Sequence, residues 1–109
     1  MSNYTEYTIF IGNCISKDFD YIFRIHNLLE EMGFKQQEDT TKYENPDHGS
    51  IVILPKDNRK EGLSKLEIYV SEEIMHLLIK ELISTKIIIT KILDMRYKEV
   101  PITKFLVKR

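Results

Sequence analysis

The stretch LEIYVSEEIMHLLIKELI (residues 66–83) changes its period at a single residue. Up to Val70, the apolar Leu66, Ile68 and Val70 alternate with Glu67 and Tyr69, the mark of a strand with one buried and one wet face. Ser71 then offers the side-chain oxygen of a helix N-cap, and Glu72 and Glu73 suit the positive end of a helix dipole. Ile74, Met75, Leu77, Leu78, Ile79, Leu82 and Ile83 follow at helical spacing. A strand running directly into a helix predicts a β-α unit. The helix is apolar around more than a narrow stripe, which predicts burial on two sides, beneath an extra strand or against a second subunit. Met75, Ile79 and Ile83 are therefore the candidate partner-binding residues.

Upstream, Tyr7 to Ile11 is rich in β-formers and reads as a first strand. SKDFDYIFRIHNLLEEMGF (residues 16–34) is a helix by its apolar spacing through Phe19, Ile22, Phe23, Ile25, Leu28, Leu29 and Met32. Ser16 or Asp18 is its expected cap, and Gly33 is expected to end it in the left-handed conformation, with Phe34 packing back. Thr40, Thr41 and Tyr43 are the β-formers of an exposed or edge strand. The turn residues Asn45 to Gly49 join it to a buried strand over Ser50 to Leu54, giving a hairpin. Lys56 to Gly62 is a charged loop. Downstream, Lys86 to Met95 reads as a strand, Pro101 breaks the run, and Ile102 to Val107 is expected to be a last, edge strand free to pair with another chain.

The order β-α-β-β-β-α-β-β reduces to two β-α-β halves with a hairpin between them. It predicts an α+β fold of the ferredoxin-like α/β plait type, an antiparallel sheet with two helices on one face, an extra hairpin strand and a C-terminal edge strand. Residues 1–109 form one domain, long enough to bury roughly two-thirds of the surface of the unfolded chain. Such a fold hosts many activities, so function has to come from its sites.

Formal charge is −1 overall but unevenly spread. Residues 1–85 hold 9 Lys/Arg against 15 Asp/Glu, and residues 86–109 hold 7 against 2. One cysteine excludes an internal disulfide and a four-thiolate zinc site, which points to a reducing compartment. The start MSNYTEYTIF lacks the basic and apolar regions of a signal peptide, and no apolar run approaches the roughly 20 residues of a membrane span. A cytoplasmic setting is expected.

Few residues offer chemistry. Cys14 is followed by Asp18, Asp20 and a single Lys17, a charge balance that opposes a thiolate, so it is read as a small residue closing the first strand. Asp18 and Asp20 at the strand-to-helix junction are a candidate magnesium pair, since hard cations choose carboxylate oxygens. Helix capping accounts for one of them without a metal. Glu72 and His76, four apart, share a helix face but are too few for structural zinc. The four glycines stand singly at 12, 33, 49 and 62, so no phosphate or dinucleotide loop is present and no cofactor is expected. Lys91, Arg96, Lys98, Lys104, Lys108 and Arg109, interleaved with Tyr97 and Phe105, are the candidate nucleic-acid contacts, cations for phosphates and rings for bases.

The expected function is a small non-enzymatic regulatory domain, of inhibitor or immunity type, that docks onto a protein partner or a second copy of itself. The alternative is a dimeric plait-fold nucleic-acid-binding protein or metal-dependent ribonuclease. YIFRIHNLLEEMGF (residues 21–34) resembles the corresponding segment of small plait-fold antitoxin ribonucleases, over that one helix and with no catalytic motif.

Overall fold

On the first strand, Tyr7, Ile9 and Ile11 are buried while Glu6, Thr8 and Phe10 point to the other side; one neighbouring strand follows that alternation throughout, and the other from Tyr7 to Phe10, where a bulge shifts the register. The computed structural model describes residues 4–12, 20–38, 40–54 and 64–106. They form β1 (Tyr4–Ile11), α1 (Asp20–Glu31), β2 (Lys35–Gln36), β3 (Lys42–Asn45), β4 (Gly49–Leu54) and β5 (Ser64–Ser71). Then follow α2 (Glu72–Ser84), β6 (Ile89–Asp94), β7 (Glu99–Val100) and a 3-10 helix (Ile102–Phe105). The strands make one antiparallel sheet in the order β2-β3-β4-β5-β1-β6-β7.

The α+β class is as expected, but the sheet is not a four-stranded βαββαβ plait. β1 does lie between β5 and β6, the two strands that α2 connects, and β5 lies between β1 and β4. The β2–β3 pair and β7 widen that inner quartet to seven strands.

Side-chain rows cross the sheet. Ile53, Leu66, Ile9, Ile92 and Val100 face one another across five strands, and Tyr43, Ile51, Ile68 and Tyr7 form a parallel row. These residues share one apolar core with Ile25, Leu28 and Leu29 of α1 and with Ile74, Met75, Leu78, Ile79 and Leu82 of α2. Both helices thus cover the same sheet face, and among the described residues no helix covers the other. Burial of these side chains is the main favourable term of the fold.

Local signals act where the sequence places them. Ser71 Oγ accepts from Ile74 N–H at the start of α2. Gly33, at φ 89, ends α1: its N–H donates to Glu30 O, that of Phe34 to Leu29 O, and the Phe34 ring is buried. Phe23 falls outside the buried stripe of α1 and is exposed. The expected caps Ser16 and Asp18, Cys14 and the charged loop 56–62 lie outside the described residues.

Two expectations fail at the C-terminal end. Residues 102–105 are a 3-10 helix, not a strand. Pro101 has no N–H for a ladder, and Lys104 N–H instead donates to Pro101 O at 3.1 Å. Ile102 and Phe105, three apart, fall on one side of such a helix, and Phe105 is fully buried against the Tyr7 and His76 rings. The same element covers part of the breadth of α2: the 3-10 helix packs on it at His76, while Leu77 and Ile83 stay exposed. The edge strands β2 and β7 are each two residues long, so the sheet offers little edge for strand pairing.

At Gly49 (φ 120) a Cβ would lie 1.9 Å from the Tyr69 carbonyl oxygen. Gly49→Ala is therefore expected to lower the unfolding free energy by about 2–4 kcal/mol in urea titration, because the strain is backbone against backbone. His48→Ala in the same turn is expected to change it by less than about 0.5 kcal/mol. Ile9→Ala, at the centre of the core row, is expected to remove about 2–5 kcal/mol.

Candidate functional site on the open sheet face

Three rows of side chains stand on the uncovered face. Glu44, Ser50, Tyr69 and Glu6 form the first, and Lys42, Val52, Glu67, Thr8, Leu93 and Glu99 the second. Leu54, Lys65, Phe10 and Lys91 form the third. Charge is graded along the strands. At one end the ammonium groups of Lys91 and Lys65 lie 4.7 and 5.3 Å from the centre of the Phe10 ring. At the other, glutamates flank Tyr69.

The acidic end holds a groove of about 300 Å³ whose lining includes Glu6, Thr8, Val52, Glu67, Tyr69, Met95 and Tyr97. Tyr69 is 45% exposed, and its ring meets that of Tyr4 edge to face at 5.1 Å. Glu6 is opposite Tyr69 and Glu67 opposite Thr8, which makes the two carboxylates diagonal neighbours across β1 and β5. Among the described residues no cation pairs with either.

The rim comes from the β6–β7 turn. Asp94 Oδ1 accepts from Arg96 N–H at 2.8 Å and Lys98 N–H at 3.0 Å, while Tyr97 N–H donates to Asp94 O. The Lys98 and Arg96 amides hold the Asp94 carboxyl below the usual carboxylate range. This brace carries Met95 at 68% exposure and Tyr97 at 82%. Tyr97 sits at φ 61, in the left-handed region where glycine would be cheapest. Lys86, the other described non-glycine residue of positive φ, terminates α2; Ile87 N–H beyond it donates to Leu82 O.

The residues singled out from sequence scatter. Met75 and Ile79 are 0% exposed and face the core, so they present no docking surface; Ile83, at 42%, is exposed, as is Leu77. Met75 and Ile79 belong to the core cluster that α2 shares with the sheet, and which apolar positions of a broadly apolar helix face that core is not set by its period. Lys91 stands on the open face, Arg96 and Lys98 in the rim turn, and Lys104 on the helix-covered side. They do not form one basic surface, and Lys108 and Arg109 lie outside the described residues. Asp18 also lies outside them. Asp20 opens α1, its side chain likewise beyond description. Among the described residues no group of three His, Cys, Asp or Glu could hold a metal, and no helix is long and apolar enough to cross a membrane.

A polar cluster on the helix side was not legible in the sequence beyond its Glu72–His76 pair. Tyr7 Oη donates to Glu72 Oε1 at 2.7 Å and accepts from Lys104 Nζ at 3.4 Å. His76 Nδ1 donates to Phe105 O at 3.0 Å, which leaves Nε2 3.8 Å from Glu72 Oε2. These contacts seat the 3-10 helix against α2 and β1, so we read the cluster as a clamp. A second such link joins α1 to β3: His26 Nδ1 meets the Tyr43 hydroxyl, and its Nε2 lies 3.0 Å from Glu30 Oε1. Burial, then the Glu30 charge, raises the Tyr43 pKa, so the hydroxyl keeps its proton.

Burial, then the bond to Glu72, pushes the Tyr7 hydroxyl well above its ordinary value of 10.0. The sign follows from proton uptake: above pH 10 the unfolded chain loses this proton while the folded chain keeps it. Stability from Tyr7 is thus complete below pH 10 and declines as pH rises further. In Tyr7→Phe that part of the alkaline decline is expected to disappear, as read by urea titrations from pH 8 to 11.

Comparison with known proteins yields no match to this chain among family models, curated proteins or solved structures.

Proposed function

We propose that this protein is a non-enzymatic docking domain that binds a protein partner through the open sheet face, at the groove between β5, β1 and the β6–β7 turn. The observation that carries this reading is Tyr97. A bulky side chain is held in a backbone conformation that disfavours it, and it is left 82% exposed. Core packing gives no reason for a tyrosine there. Strain maintained around an exposed side chain marks a residue kept for what it contacts outside the fold. Tyr69 and Met95 beside it belong to the residue types that interfaces favour. The partner-binding role expected from sequence thus moves from α2 to the opposite layer.

Nucleic acid fits this face less well. Lys65, Phe10 and Lys91 would suit a single strand at one end. A phosphate backbone crossing the face would also meet Glu6, Glu44, Glu67 and Glu99.

Tyr97→Gly tests the reading, because it relieves the strain while deleting the ring. The variant is expected to be more stable by about 0.5–1 kcal/mol in urea titration. In nuclease-treated lysate, immobilised wild type is expected to retain a stoichiometric protein that the variant releases. A partner held equally by both would overturn the proposal, as would recovery of nucleic acid alone from untreated lysate.

A further inference from the structure

Resting on that reading, we infer that the groove receives an arginine side chain from a basic segment of the partner. Two like charges placed diagonally on adjacent strands repel, and nothing described within the fold relieves Glu6 and Glu67. Among the described residues the groove lining contains no lysine or arginine, and the complement of Glu6 and Glu67 is a cation. The surrounding surface is not simply a solvated acidic patch, for the two glutamates line one groove with Tyr69, Met95 and Tyr97.

This pairing of rings with carboxylates selects among cations. A guanidinium is planar and weakly hydrated; it stacks on an aromatic face while its N–H groups donate to carboxylates on either side. An ammonium is a point charge that keeps more of its water. Tyr69 is pre-oriented for stacking by its edge contact with Tyr4, and the Tyr97 backbone is braced by Asp94. At about 300 Å³ the groove suits one long side chain with its flanking backbone rather than a docked helix. The basic end of the face, around Lys65 and Lys91, adds direction: the partner segment is cationic at the groove and neutral or acidic beyond Phe10.

The test is an amide-resolved NMR titration of the whole chain with three blocked hexapeptides, alternating glycine with arginine, lysine or glutamate. The arginine peptide is expected to shift residues 6, 8, 67, 69, 95 and 97 selectively, several-fold more tightly than the lysine peptide, and the glutamate peptide to leave them unmoved. Glu6→Gln with Glu67→Gln is expected to weaken arginine-peptide binding at least tenfold while the spectrum stays folded. Shifts spread evenly over the acidic surface, or equal binding by the double variant, would overturn the inference.

A lysate partner that the double glutamine variant keeps but Tyr97→Gly releases would remove the arginine inference and leave the docking reading standing. A partner kept by both variants would remove both. Concentration-dependent self-association in sedimentation, lost in Tyr97→Gly and kept in the double glutamine variant, would make a second copy the occupant and also overturn the arginine assignment.

Discussion

The register of β1 is the constraint on which the rest of the molecule depends. Ile9 is paired with Leu66 on one side and Ile92 on the other, in the middle of the row that fills the core. Side chains alternate strictly along a strand, so a slip of one residue would turn Ile9 outward and push Glu6, Thr8 and Phe10 under the helices. Burying an unpaired carboxylate while exposing isoleucines is unfavourable on both counts. The pairing that builds the core therefore also sets Glu6 beside Tyr69 on the other face. Core and groove are two sides of one register.

The two layers differ in how their polar groups are satisfied. On the helix side, Tyr7, Glu72, His76 and Lys104 bond to one another or to the Phe105 carbonyl, and the result is a seated 3-10 helix. On the open side, Glu6 and Glu67 have no described cation, and the aromatic groups near them are exposed. Edges contribute little, with β2 and β7 only two residues long. Recognition is thereby directed to the sheet face. Tyr97 fits this division, since its positive φ lies in a turn that Asp94 braces.

Much of the fold was legible because its determinants are local. Ser71, Gly33 and the Asn45–Gly49 turn act within a few residues of themselves, and each does in the structure what its chemistry predicts. The groove was not legible. Its residues come from β1, β5 and the β6–β7 turn, and nothing in Glu6 or Tyr97 taken singly announces that they share a surface. One signal was available in principle: Glu67 and Tyr69 alternate with core residues in β5 and must face away from them. Met75 and Ile79 misled for the converse reason. A broadly apolar helix implies two covers, and a short Ile-x-x-Phe segment after Pro101 supplied part of the second from within the chain.

The sequence alone determined both helices, the longer strands before Pro101 and the apolar alternation of β5, because period, capping and turn chemistry are energies between near neighbours. It also showed the charge imbalance between the two parts of the chain. Tertiary structure decided the number and order of strands, the 3-10 path after Pro101, and the meeting of Tyr69, Tyr97, Met95, Glu6 and Glu67 in one groove. Those outcomes depend on cross-strand register and on which element covers which. Both are settled only when residues far apart in the chain compete for the same buried surface.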